Sequence, residues 1–568
     1  TFLVLISLIS PLSSWRRPIS SRSRRTLPKQ RATMEPTANP SAPSFASSVS
    51  SFALKHPEEG DTFPGRLELP VNIPSEVSIT LSEKGFVVDR YGSVSFKQDS
   101  VSHPRRWPLY RKVFDSALIC FLEYFMTMMS NTGATVSHHA SAHFHISPTV
   151  AILCTVTVYL LGQAVGGLVF PPIAESFGHR TIYVSSTFGF AVLCLIIGAG
   201  HEHLIPVIAG RLLSGFLSAI PATVACGSIE NMWDERARIF TVHAWISSAV
   251  LGLASGPPIA TYISTSLGWP YIFYLAAGVT GVCSILCLGM QESRPSQVLR
   301  ENVRKIARKT SFDRLSASSD HHLPTAKEFV RITMTQPIRL FFTEPVVFWV
   351  SIMGATVYAV LYLFSEALTV VYGDGFQLSE RTTSLIFLAF GIGIVPTFLP
   401  RIYDMVLANK QRRRGAQMEP EDKLFGFYVA APVLAIALWW FGATIPPLVE
   451  GVSPWASIAS LLLIGYATVE FDNVLSGYLT DTYMSYAASA NAPMSFLRAT
   501  LSGLFPLFGH QMFDHLGSNV AVFILGGIAT LFCGVAVWLK LKARTLRMRS
   551  PFAEKTALSA LEPKDFSP

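Results

Sequence analysis

Charge is scarce in this chain. Only 14% of its 568 residues are Asp, Glu, Lys or Arg, and half are hydrophobic. A soluble chain of this size carries nearer a quarter charged residues, so a water-soluble globule is excluded. Other absences narrow the function. There is no G-x-x-x-x-G-K-[S/T] loop, so ATP is not the direct driver. No nucleophile elbow and no H-E-x-x-H helix occurs, which argues against an enzyme, and no catalytic residue or cofactor is expected. Its seven cysteines all fall in apolar runs without metal spacing, so they read as small core residues and no metal is expected. The net charge of +8 might suggest nucleic acid, but the basic residues sit in alternate loops between apolar runs, so a nucleic-acid partner is not expected.

What is present is a series of apolar runs near twenty residues, the length that crosses a bilayer. Twelve spans are predicted near 113–135, 148–170, 181–200, 204–228, 239–264, 269–290, 345–370, 383–401, 424–443, 453–480, 494–513 and 518–540. Lys and Arg crowd every second connection: Arg105, Arg106, Arg111 and Lys112 before the first span, Arg180 after the second, Arg236 and Arg238 after the fourth. They recur at Arg294 to Lys309 after the sixth span, at Arg401, Lys410 and Arg412 to Arg414 after the eighth, and at Lys540 to Arg549 after the twelfth. Intervening loops are nearly free of them, Arg381 excepted. Positive-inside asymmetry then places both termini in the cytoplasm.

The longest internal connection divides the spans six and six. The expected layout is a disordered tail over 1–104 that allows short structured pieces, a six-helix half over 105–290, a solvated central loop over 291–344, a second half over 345–543 and a tail over 544–568. Residues 1–33 read as lying upstream of a true start at Met34. The fold class is an all-α polytopic membrane protein.

Several polar groups fall at membrane depth, where a charge is costly and serves a cavity or a partner. Glu123, Glu366, Glu470 and Asp472 are the acids, and Arg211 is the base. A carboxyl in apolar surroundings can exchange a proton near neutral pH, so these five are the proton-coupling candidates, Glu123 first because it is mid-span. For each acid a helix-packing hydrogen bond is the plain alternative. For Arg211 it is a side chain reaching to the outer interface. Glu470 and Asp472 project in different directions, so only one is expected to face a cavity. The apolar stretch Ser248–Ile263 carries Gly252, Gly256, Pro257 and Pro258. Glycines four apart share a face and admit a neighbouring backbone, while the prolines remove donors and are expected to kink the helix. Histidines 138, 139, 143 and 145 crowd the first outer connection, and solvated side chains are expected there rather than a pH sensor or a metal site.

That stretch resembles the fifth-helix Gly-Pro antiporter motif of the major facilitator superfamily. PPIAESFGHR, between spans two and three, resembles that family's gating loop, with Glu175, Gly178 and Arg180 matching the acid, the second glycine and a terminal base. Pro171 stands where the first glycine is usual, and Ser176 and His179 replace bases. AGRLLSGF in span four resembles the Arg-x-x-x-Gly motif, with Gly215 as its glycine. ESRPSQVLR, TQPIRLFFTEPVVF, LTDTYMSYAASANAP and FLRATLSGLFPLFGHQMFDHLG resemble the fungal twelve-span drug:proton antiporter branch, and the likeness covers about 105–550. Arg498, Tyr478, Tyr483 and Tyr486 belong to this signature.

The resemblance implies two six-helix halves of the major facilitator fold and a Gly-Pro helix that lets them rock. It implies proton-coupled efflux of a small organic compound across the plasma membrane by a monomer whose partners are that substrate, protons and lipid. A fungal secondary metabolite, a toxin or a xenobiotic drug is the expected cargo. A polyamine exporter, an uptake symporter and a non-transporting sensor on the same scaffold are the alternatives.

Overall fold

The computed structural model describes residues 73–97, 100–310, 312, 315–317, 334–415, 419–448, 451–483, 486–550 and 552. The expected start at Met34, most of the N-terminal tail, the middle of the central loop and the end of the C-terminal tail lie outside the described residues. By contact the chain divides into one unit of 1–73 with 89–92 and a second of 74–88 with 93–568. The second unit holds every element discussed below.

Among the described residues it contains twelve long helices. Eleven are long and apolar enough to cross a membrane: Leu109–Phe144, Pro148–Phe177, His179–Ala199, Leu204–Met232, Glu235–Ser266, Pro270–Leu288, Pro345–Gly375, Glu380–Arg413, Pro420–Thr444, Pro454–Tyr483 and Ser518–Arg549. The remaining one, Ala487–Leu516, is the eleventh span in chain order. It is less apolar because it carries Asn491, Ser495 and Arg498 along a cavity.

Each predicted span has its helix, and several helices run past the apolar stretch. The first reaches Phe144, so His138, His139 and His143 are helical rather than in the outer connection. His145, left-handed at φ 52°, ends that helix, and Ser147 caps the next by accepting from the Val150 N–H. Hydropathy marks the lipid-immersed length, whereas caps mark the helix end.

Helix pairing repeats across the chain. Spans one and five, two and four, and three and six pack together; so do seven and eleven, eight and ten, and nine and twelve. The halves meet where span two faces eleven and span five faces eight, which are equivalent positions in the two halves.

Close pairing depends on missing side chains. A Cβ on Gly162 would strike the Leu212 carbonyl, and one on Gly215 the Tyr159 carbonyl, between spans two and four. Gly393 and Gly465 stand likewise against the Leu462 and Phe390 carbonyls, between spans eight and ten. Gly252 and Gly256 bring span five onto Tyr124 and Met128 of span one, so their face lies inside the first half. Span five is one continuous helix through Pro257 and Pro258.

Outside the bundle, the segment expected as tail has a helix at Ser75–Glu83 and a hairpin, Phe86–Val88 against Ser93–Phe96. The central loop is more than a solvated linker. It carries the helix Pro295–Thr310, which buries Leu299, Val303 and Ile306 on one face, and the strand Ser316–Ala317, which pairs in parallel with the hairpin.

Gly215→Val places carbons where the Tyr159 carbonyl already sits. Overpacking of this kind costs about 1–3 kcal/mol. Thermal unfolding of the detergent-purified variant is expected at a clearly lower temperature than wild type, whereas Gly278→Ala, with open space around it, should leave it unchanged.

Candidate functional site

Between the halves lies a cavity of about 710 Å³. Its lining runs from Glu175 and Arg294, at the bundle face where both ends of the bundle emerge, inward to Trp245, Asp472 and Arg498. A narrower extension continues past Arg498 to Glu123, Thr127, Tyr358 and Tyr362.

Span seven organises the deep end. Tyr358, Tyr362 and Glu366 recur every fourth residue, so they stack on one helical face. The Tyr358 hydroxyl donates to Asp472 Oδ2 at 2.8 Å, and Arg498 Nη1 donates to the same oxygen at 3.0 Å while its guanidinium lies over the Tyr358 ring. Tyr362 and Ser130 of span one share a 2.5 Å hydrogen bond across the halves. Glu366, farther along, lies 3.8 Å from His138 of span one.

The candidate acids therefore separate. Glu123 is buried in the extension, accepts from the Thr127 hydroxyl at 3.3 Å and forms no ion pair among the described residues. Asp472 is paired with Arg498. Glu470 points into the second half, where Arg401 Nη2 donates to it at 2.7 Å and Arg401 also holds Asp404 at 3.0 Å. Glu366 sits beyond the cavity, at the opposite closed end.

Arg211 is only 1% exposed, so it does not reach an outer interface. For a proton-coupling candidate, it has no carboxylate partner among the described residues. It donates instead to the carbonyls of Thr155 at 2.6 Å, Met129 at 3.0 Å and Ser130 at 3.4 Å, and covers the Tyr159 ring. Thr155 lies in a π-helical stretch, Leu153–Thr157. Arg211 thus fixes Ser130, the residue that meets Tyr362.

Of the residues matched to the family's gating loop, Glu175 lines the cavity mouth, with Gly178 and Arg180 just beyond it in the chain. Gly178 is left-handed at φ 87°, and a Cβ there would press on the Glu292 carboxylate. Glu175 is largely exposed, 3.8 Å from Arg294. The acid that caps span three is Glu292, which accepts from the N–H groups of His179 and Arg180 at 3.0 Å and of Arg294 at 2.9 Å. Burial raises its pKa, and those three donors oppose the rise. The Arg180 side chain donates to the Leu288 carbonyl at 2.8 Å. Glu292 stands in the quoted ESRPSQVLR, but a cap formed 113 residues away leaves no local spacing to read.

His243 of span five was also missed. It meets Thr397 of span eight at 3.1 Å and Asn473 of span ten at 3.0 Å, joining the halves nearer the open end. A lone histidine in an apolar run carries no periodic signal. Tyr358 and Tyr362 could have been found from the four-residue spacing that ends at Glu366. Of the other signature residues, Tyr483 donates to Glu344 at 3.1 Å at the base of the second half, away from the cavity.

Two halves of six helices with matching pair contacts and a cavity between them are the arrangement of a transporter. The family model for the Major Facilitator Superfamily matches residues 117–506. The chain belongs to the major facilitator superfamily. The multidrug transporter TPO1_2 of Candida glabrata is 28% identical over 455 residues, 79% of this chain and 78% of that protein. The efflux pump FUBT of Fusarium oxysporum is 29% identical over 456 residues, covering 80% and 75%. Among solved structures, the proton:xylose symporter XylE bound to 6-bromo-6-deoxy-D-glucose has a TM-score of 0.53 at 14% identity, covering 76% of this chain and 96% of that one. At that identity it supports the fold alone. This superfamily member is a multi-pass membrane transporter for small molecules, in the fungal drug-efflux branch.

Removing one member of the Asp472–Arg498 pair strands the other at membrane depth, which costs about 3–5 kcal/mol. In a thermal-unfolding cycle, Asp472→Ala and Arg498→Ala are each expected to destabilise strongly. The double variant should recover part of that loss, and strict additivity would remove the pair from the account.

Proposed function

We propose that the chain is a proton-coupled exporter of a small organic compound, working in the plasma membrane with both termini in the cytoplasm. The observation that carries this is Glu123. It is the one acid of the deep cavity among the described residues that has no ion-pair partner; Arg498 acts on it only across the cavity while bonded to Asp472, and a carboxylate so weakly countered inside the membrane is costly. Binding a proton removes that cost, and so does binding a cationic or polarised substrate, so the two occupants compete for one group.

On this reading the cavity opens to the cytoplasm, because the basic connections lie at its mouth. Substrate enters there as Glu123 releases its proton. When the halves rock, contacts at the closed end part, Ser130–Tyr362 and His138–Glu366 among them, and an external proton reloads Glu123 as substrate leaves.

Aromatic rings and small side chains line the route, with Trp245, Tyr358 and Tyr362 among them. Such walls favour a flat or lipophilic compound, a fungal secondary metabolite, a toxin or a xenobiotic, and the role is self-protection or secretion. Asp472 is already neutralised by Arg498, so the deep cavity offers fewer free acids than a polyamine needs. The relatives named as multidrug transporter and efflux pump support the same direction of transport.

The test is retention of an aromatic polyketide toxin, an azole and spermidine in pump-deleted yeast expressing the chain. Lower retention of a lipophilic compound, abolished by a protonophore, is the expected result. Glu123→Gln at equal surface level removes the proton-binding group and should lose protonophore-sensitive export by a factor of about ten or more. Full export by Glu123→Gln would remove it from the coupling role, and raised retention would mean uptake.

A further inference from the structure

The transport reading does not use the basic cluster where span eight ends. A pocket of about 330 Å³ is lined there by Arg236, Asn409, Arg412 and Arg413 alone. Arg236 opens span five, in the first half, and the other three close span eight, in the second, so the pocket straddles the seam. No carboxylate lines it. None of its arginines has an ion pair or side-chain hydrogen bond among the described residues. Other bases at this face are engaged: Arg238 with Glu230, Arg401 with Asp404 and Glu470, Lys423 with Asp481, and Arg547 with Glu421. Three guanidiniums gathered without an acid repel one another, and an anion between them relieves that repulsion.

The helix Phe398–Arg413 indicates where such an anion comes from. Leu399, Ile402, Val406, Asn409 and Arg413 follow at intervals of three and four, so they share one face. Along that face Leu399, Ile402 and Val406 are 69%, 44% and 56% exposed, and then the pocket begins. The ten steps of chain from Leu399 to Asn409 rise about 15 Å, and the exposed Ile392 and Val395 lead into this stripe from within the span. An exposed apolar stripe that runs from the span into a cationic pocket fits a molecule with acyl chains and a phosphate head.

We propose that Arg236, Arg412 and Arg413 bind the headgroup of an anionic phospholipid, its chains lying along span eight, so that the lipid bridges the two halves. Phosphate oxygens accept from the guanidinium forks, and Asn409 supplies an uncharged partner. A head held from both halves favours the arrangement in which span five and the end of span eight stay together.

The test uses the full chain purified in detergent, titrated with fluorescent phosphatidic acid and, separately, fluorescent phosphatidylcholine. Each arginine adds to the attraction for an anionic headgroup, so the combined Arg236→Gln, Arg412→Gln, Arg413→Gln variant is expected to bind phosphatidic acid on the order of a hundred-fold more weakly. Phosphatidylcholine binding should be unchanged. A control variant, Lys305→Gln with Arg308→Gln, should bind both lipids like wild type, and equal melting temperatures without lipid establish that all three proteins are folded. Wild-type affinity in the triple variant would overturn the proposal, as would an equal loss in the control. Displacement of phosphatidic acid by glycerol phosphate at comparable concentration would assign the pocket to a free anion and overturn the lipid assignment.

Discussion

A charge in a bilayer has no water to turn to, so each buried ion here must find its partner within the protein. That constraint orders the interior. Asp472 takes Arg498 and Tyr358. Glu470 takes Arg401, which also holds Asp404. Arg211 takes three backbone carbonyls, one of them in a π-helical turn. Once these are satisfied, Glu123 remains in the cavity with no ion-pair partner among the described residues. The same pairs brace helices: Arg498 and Asp472 tie span eleven to ten, Arg401 and Glu470 tie eight to ten, and Arg211 ties four to one and two.

Packing supplies the rest of the frame. Glycines let spans two and four, and again eight and ten, approach to backbone contact, so each half holds together through close shape. Between the halves the contacts are fewer and more polar. Ser130–Tyr362, His138–Glu366 and Thr157 to the Gly503 carbonyl lie away from the cavity mouth, and the His243 bonds lie toward it. Hydrogen bonds of this kind exchange partners more easily than interlocked backbones, which suits halves that move as bodies.

Much of this was legible in the sequence. Spans, their division and the inward Arg211 follow from hydropathy and from the cost of a charge at depth, which are local properties of the chain. The eleventh span was legible too, although polar residues along the cavity dilute its apolar character. Partnerships were less legible. Nothing near Glu292 announces that it caps a helix beginning at His179, and nothing near Arg401 names Glu470. Such pairs form between distant segments, and their geometry exists only after packing. The Gly252–Gly256 face read correctly as a close-packing face, but the sequence could not say which helix it meets. The central loop read as a linker because its helix Pro295–Thr310 is mostly polar, and its three buried residues need a docking surface before they mean anything.

The central claim is that proton and substrate compete for Glu123. The direct measurement is proton release on adding the exported compound to detergent-purified protein in weakly buffered solution, followed with a pH indicator. Saturable release by wild type and none by Glu123→Gln, with the compound still bound by both, is the predicted result. Equal release from both proteins would place the coupling proton elsewhere and contradict the account.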